Sequence, residues 1–348
     1  MSDSPSAQTP ARSQGAEFHE PAQPQAASFD PALRAWVLSR YDDVLAAFYE
    51  PRLRLVASES EDDSEADDNV AQTSQRAETL AALSASRLAN WQAQIKPLAY
   101  TIVATLPADR PVDVIQEFAR PWCLKLAVIT TGADPLQAER LSALAYQVSI
   151  EAAAIEPRDV GFKSRVAASS AELESALGSK GLPMAGPAFV ALSQTLPCFL
   201  ANAWLALLQH PAQLARLHAQ PDLMPKAIEE LLRYAGLVRI LFRKATANIE
   251  LANVRIASGD RVALLVAVAN RDPTKFAEPN RVDVDRHAIA QFSLGGGPHS
   301  CVGASLIRMA AAAATAAFTS RFVTAKLSGP VEWRGGFESR WPASIHLF

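Results

Sequence analysis

"FSLGGGPHSCVG", residues 292–303, sets three consecutive glycines, a proline and a histidine just before a single cysteine. Glycines 295, 296 and 297 carry no Cβ, so the backbone there can adopt positive φ and approach a flat partner closely. Cys301 precedes an Ala-rich helical run from about Val302 to Phe318. The N-terminal amides and dipole of such a helix favour negative charge, which predicts a lowered thiol pKa and a thiolate. A thiolate in this setting can be a nucleophile or a metal ligand. As a nucleophile it needs a general base, and His299 is the nearest candidate, although alternate residues of a tight loop need not bring their side chains into reach. The Gly-Lys-Ser/Thr ending of a phosphate loop is missing.

The rest of the chain narrows the context. Its 348 residues are 49% apolar, enough for a large core. The 33 basic and 36 acidic residues leave a formal charge of −3, which offers no electrostatic footprint for nucleic acid or an anionic membrane. Cys123, Cys198 and Cys301 lie far apart without a Cys-x-x-Cys pair, which fits a reducing cytoplasm. Residues 1–27 have no basic n-region followed by an apolar core and read as a disordered leader. The acidic run 58–69 reads as a solvated loop. Residues 181–208 carry no charge, but Pro183, Pro187, Pro197, Gln194 and Asn202 burden a lipid span, so a buried central helix and no membrane span are expected.

The coarse pattern predicts a mainly α chain with a small β region. A strand-like run and a helix opened by Asp42 and Asp43 follow the leader. Helical periodicity runs from Thr73 to about Glu156, with breaks at "LPADRP" and "TTGADP". "DLMPKAIEELLRYAGL" is a helix ending at Gly236, and "VRILFRKAT", "IELANVRIA" and "RVALLVAVA" read as strands.

For Cys301, ligation of haem iron remains as the reading in which the glycines face a large flat porphyrin. "LGGGPHSCVGASLIR", 294–308, resembles the haem-binding signature of the cytochrome P-450 family, with Gly295, Gly297, His299, Cys301, Gly303, Leu306 and Arg308 in register. Leu294 stands where the family carries phenylalanine, which puts the tuning of the iron in question. Upstream, Glu230-Leu231-Leu232-Arg233 resembles the family's Glu-x-x-Arg, with Arg286 as the arginine that joins the pair. Arg243 falls at a propionate-binding arginine, and Arg76 matches a second one whose histidine partner is replaced by Gln72.

This resemblance covers roughly residues 28–348 and implies a single large P-450-like domain. It implies haem b with Cys301 as axial thiolate and His299, Arg76 and Arg243 at the propionates. It further implies a monooxygenase acting on a small apolar organic substrate with electrons from a ferredoxin. The oxygen side departs from the family: Ala191-Leu192-Ser193-Gln194-Thr195 keeps the alcohol in Thr195, while Gln194 replaces the acid and Leu192 the glycine. An amide cannot exchange a proton as a carboxylate does, so a peroxygenase, a non-oxygenating enzyme or a non-catalytic haem protein stand as alternatives. Pro197 lacks the amide that would bond to the Ser193 carbonyl, which predicts a kink. The stretch before the central helix looks shortened, implying a more open pocket roof. Ala191, Leu192, Ile240 and Leu241 are candidates for an apolar pocket floor.

Overall fold

A computed structural model describes residues 21–55, 65–149, 160–178, 181–287, 289–336 and 338–348. The chain begins with strands β1 (Ser28–Asp30) and β2 (Ala35–Leu38), helix α1 (Tyr41–Tyr49) and strand β3 (Leu53–Leu55). Helices α2 (Glu65–Ala82) and α3 (Ala85–Thr105), strand β4 (Val112–Asp113), and helices α4 (Arg120–Thr131), α5 (Ala138–Gln147) and α6 (Val160–Leu177) follow. The uncharged segment forms α7 (Ala185–Gln209), succeeded by α8 (Pro211–Ala219) and α9 (Met224–Ala235). Then come β5 (Leu241–Ala245), β6 (Ile249–Leu251), β7 (Val254–Ile256), β8 (Arg261–Leu264) and α10 (Val266–Ala269). The Ala-rich helix is α11 (Ala304–Phe322), and β9 (Trp333–Gly335), β10 (Arg340–Pro342) and β11 (His346–Leu347) close the chain.

Burial explains why α7 tolerates so little polarity. Of its most apolar window, 83% lies inside the protein, as expected for a core helix. Trp204, in its C-terminal half, lies between the rings of Phe118 and Phe318, at centroid distances of 5.1 and 4.6 Å, and donates its indole N–H to Thr315 Oγ1. A stacked aromatic column thus joins the C-terminal half of α7 to α11 and to the turn before α4.

The strands form a five-stranded sheet in the order β1-β2-β8-β5-β3, with only the β2–β8 pair parallel. Between β6 and β7, Ala252 and Asn253 both have positive φ, as a two-residue hairpin turn requires. "RVALLVAVA" does not remain a strand. Its pairing runs out where β2 ends at Leu38; Leu265 makes one last bond to the Leu38 carbonyl, and the chain turns into α10.

The expected leader, 1–27, ends differently from the prediction. Residues 1–20 lie outside the described residues, but Gln25 is tied to Ser39 by reciprocal hydrogen bonds of 2.8 and 3.2 Å, so the end of that stretch is docked on the sheet. Most of the acidic run, 58–64, also lies outside the described residues, while Glu65 onward is helical.

Glu230, Arg233 and Arg286 form a buried cluster instead of a surface pair. Arg233 Nε and Nη2 donate to the two oxygens of Glu230 at 2.7 and 2.8 Å, and Arg286 Nε donates to Glu230 Oε2 at 2.9 Å. The remaining donors of both arginines reach the carbonyls of Asn270, Ala277, Pro279 and Arg281. Asp283 N–H completes the carboxylate's shell. The coil 270–286 is thereby fastened to α9. Removing the carboxylate in Glu230→Ala leaves two guanidiniums without their anion, an expected loss of about 3–5 kcal/mol measured by chemical denaturation.

Candidate functional site

The glycine loop is shaped by contacts on both sides. Gly295 (φ +73°) and Gly297 (φ +62°) adopt the left-handed region, and a Cβ on Gly297 would lie 2.2 Å from the Phe48 carbonyl oxygen. A Cβ on Gly296 would meet the Phe48 ring at 2.7 Å. Two of the three glycines are therefore required by the close approach of α1, which the motif alone does not reveal. Phe292 packs on Tyr41 and Phe48, anchoring the start of the loop, and the Cys301 N–H donates to the Leu294 carbonyl at 2.7 Å. Leu294 itself packs against the main helical core.

Cys301 keeps partial exposure at the entrance to α11. Its thiol is pushed up by burial, opposed by the Gly303 N–H and by the Arg76 and Arg308 guanidiniums. The expected lowering by the helix end alone is thus reversed, because desolvation outweighs it in the free thiol. A cation at the sulfur would reverse the balance again.

Two arginines and a histidine gather on this side of the loop. Arg243 is 3% exposed, and its Nη1 donates to the carbonyl of Phe242. Burial alone lowers its pKa, with no acidic group countering it. Arg76 reaches from α2 to the carbonyl and hydroxyl of Ser300. His299 is pushed down by burial and then by the charges of Arg243 and Arg76. A buried arginine without a carboxylate, two further nitrogen donors and a neighbouring thiol together fit a flat, doubly anionic metal cofactor. Gly303, whose added Cβ would stand 3.9 Å from the sulfur, leaves the approach to Cys301 clear. Among the described residues no cluster of three His, Cys, Asp or Glu side chains could hold a metal by itself.

Arg308 does not join the cationic group; it pairs with Glu229, the neighbour of Glu230, through Nε and Nη2. Ser293 donates to the Leu232 carbonyl at 2.6 Å, adding a second tie between the loop and α9. Spacing did not single out either contact.

On α7, the residues Ala191–Thr195 form a π-helical turn in which the Leu196 N–H bonds to the Ala191 carbonyl. The kink expected from Pro197 is thus a widened turn just before the proline, and the helix continues to Gln209. Gln194 is buried and donates through Nε2 to the Ser142 carbonyl and hydroxyl on α5 at 3.2 and 3.1 Å. Thr195 and Ala191 stay partly exposed, as does Leu241. Of the other candidates for the pocket floor, Leu192 is buried among the helices, and Ile240 in a cluster with Leu33, Val37 and Leu265. The Gln72 side chain lies outside the described residues.

A sequence model of the family described as Cytochrome P450 matches residues 216–330. Cytochrome P450 107B1 of Saccharopolyspora erythraea is 27% identical across 90% of this chain and 87% of its own length. Over residues 216–330 the chain is thus similar to the cytochrome P450 family. The 20-oxo-5-O-mycaminosyltylactone 23-monooxygenase of Streptomyces fradiae is 41% identical over 33% of this chain. The alignments to the first curated relatives span 36% and 28% of those proteins. Among solved structures, P450BioI in complex with an acyl carrier protein ligated to hexadec-9Z-enoic acid superposes with a TM-score of 0.79. It is 21% identical, with 90% of this chain and 91% of that one covered, and shares the P450 fold. The Cys301 cluster has a donor set that would suit a haem.

Two variants check the local geometry. Gly297→Ala forces a Cβ against the Phe48 carbonyl at positive φ and is expected to cost about 1–3 kcal/mol, read as a lowered unfolding midpoint. Gln194→Glu sets a carboxyl oxygen against the Ser142 carbonyl and loses the amide donor. Its expected cost is also about 1–3 kcal/mol, and a protein with an unchanged or raised melting temperature would contradict that placement.

Proposed function

We propose that this protein is a haem b-thiolate monooxygenase, with residues 28–348 forming its catalytic domain. The carrying observation is the buried Arg243, which lies with Arg76 and His299 on the Cys301 side of the loop with no balancing acid among the described residues. In this reading Cys301 would supply the thiolate ligand to the iron, and Arg243, Arg76 and His299 would hold the propionates. Bound haem supplies the capacity to activate dioxygen and insert one oxygen atom. Similarity to a Streptomyces monooxygenase, 41% identical over 116 residues, supports the reaction class.

The chain's own contribution on the oxygen side rests on Thr195. Its hydroxyl, on the π turn, can accept and return a proton, whereas the Gln194 amide has no titrating proton and holds α7 to α5 through Ser142. Gln194 is thus a positioning residue, and proton delivery to Thr195 falls to solvent. Ala191, Thr195 and Leu241, all partly exposed, contribute to a pocket for a small apolar organic substrate. Electrons come from a ferredoxin-type donor in the cytoplasm, in keeping with the net charge of −3 and the cysteine pattern.

The ferrous-carbonyl absorption spectrum tests the ligand. Wild type is expected to show the thiolate-type band, Cys301→Ser to lose it, and Arg243→Ala to hold haem about 10- to 100-fold more weakly. Retention of that band in Cys301→Ser would overturn the assignment. Turnover supported by hydrogen peroxide but by no ferredoxin and reductase pair would overturn the monooxygenase reading while leaving the ligand in place.

A further inference from the structure

Asn270, the residue that follows α10, is 1% exposed and ties distant parts of the chain together. Its backbone N–H closes α10 on the Val266 carbonyl at 2.9 Å, and its carbonyl accepts from Arg233 Nη1 at 3.0 Å, which joins it to the Glu230 cluster. Its side chain is spent on the start of the loop that leads to Cys301. Oδ1 accepts from the Phe292 N–H at 2.8 Å, and Nδ2 donates to Ser293 Oγ at 3.0 Å. Ser293 Oγ in turn donates to the Leu232 carbonyl at 2.6 Å.

These bonds share one direction. Phe292 gives to Asn270, Asn270 gives to Ser293, and Ser293 gives to the last turn of α9, so each bond polarises the next. A carboxamide supplies the acceptor and the donor on one planar group, whereas an ionised carboxylate of the same size offers acceptors only and would take the Ser293 proton away from Leu232. The surroundings are cut to fit. Gly236, just past α9, has an ordinary φ of −54°, yet a Cβ there would stand 2.1 Å from Ser293 Oγ. The hydroxyl, and not backbone conformation, keeps that position free of a side chain.

The chain of bonds continues to the thiol. The Phe292 carbonyl accepts from the Gly295 N–H at 2.8 Å and closes the turn, and the Leu294 carbonyl accepts from the Cys301 N–H at 2.7 Å. A displacement of Phe292 therefore reaches Cys301 through short bonds rather than along the whole length of the loop. At the other side of the sulfur stands the Gly303 N–H, which favours its negative charge. Resting on the haem-thiolate reading, we propose that Asn270 is a positioning residue for the Cys301 thiolate, acting through Phe292 and Ser293 to keep the sulfur in register with the groups that stabilise its charge.

The test is a pH titration of the ferrous-carbonyl complex of the haem-loaded full chain, following conversion of the thiolate-type band into that of a protonated ligand. Asn270→Ala is expected to raise the midpoint of that conversion by about 1 pH unit, which corresponds to about tenfold easier protonation of the sulfur. Ser293→Ala, which keeps the Phe292 bond, is expected to raise it less, and Gly236→Ala, whose methyl displaces the Ser293 hydroxyl, to follow Ser293→Ala. Thr315→Val supplies the comparison. It removes the acceptor of the Trp204 N–H deep in α11, lowers the unfolding midpoint, and is expected to leave the titration where wild type has it. Should Asn270→Ala fail to take up haem, Ser293→Ala and Gly236→Ala carry the same comparison. A lowered unfolding midpoint with an unmoved titration in the loop variants makes Asn270 a structural cap and overturns the proposal. An equal shift in Thr315→Val overturns it too, since loosening anywhere would then suffice. A wild-type chain that binds haem without a thiolate-type band overturns the haem-thiolate reading and this inference with it, a result distinct from the other two.

Discussion

The carboxylate of Glu230 is the point on which this structure turns. It accepts from two arginines and a backbone amide while almost wholly buried, so each donor must be present for the charge to be tolerated. The arginines in turn satisfy carbonyls of a coil that has little secondary structure of its own. That coil leads into the glycine loop, and Ser293 and Arg308 fasten the loop and the start of α11 to the same helix that carries Glu230. A single helix, α9, thereby fixes where Cys301 stands.

Above this clamp, two close approaches finish the site. Helix α1 lies so near the loop that the Phe48 carbonyl leaves no space for a side chain at Gly297. Helix α2 sends Arg76 to Ser300, the neighbour of Cys301. Segments more than two hundred residues apart in sequence therefore define the surroundings of one thiol. Among the described residues no acid opposes Arg243, which completes an environment that suits two carboxylates from outside the chain.

The opposite side is built on different physics. The π turn in α7 widens the helix just ahead of Pro197, and Gln194 spends its amide on α5. A residue that reads by position as a failed acid is, in the folded chain, a bolt between two helices. Leu192 likewise takes up core volume among the helices.

Much of this was legible in the residues themselves. The glycine-cysteine signature, the Glu230 and Arg233 spacing and the positions of Arg243 and Arg286 are local patterns, because turn conformation and the three-residue spacing on a helix depend on neighbours in sequence. Periodicity likewise marked the helices. What remained hidden were facts set by distant packing. The strand run "RVALLVAVA" ends early because its partner β2 ends, not because its own propensity changes. Ile240 is core because β2 and β8 lie against it. The Cys301 thiol is pushed up because desolvation, a property of everything around the sulfur, exceeds the pull of the helix end. The sequence by itself thus determined which groups can carry the chemistry. Only the tertiary structure decided which of them face one another, since burial and close approach arise from residues that the chain order keeps apart.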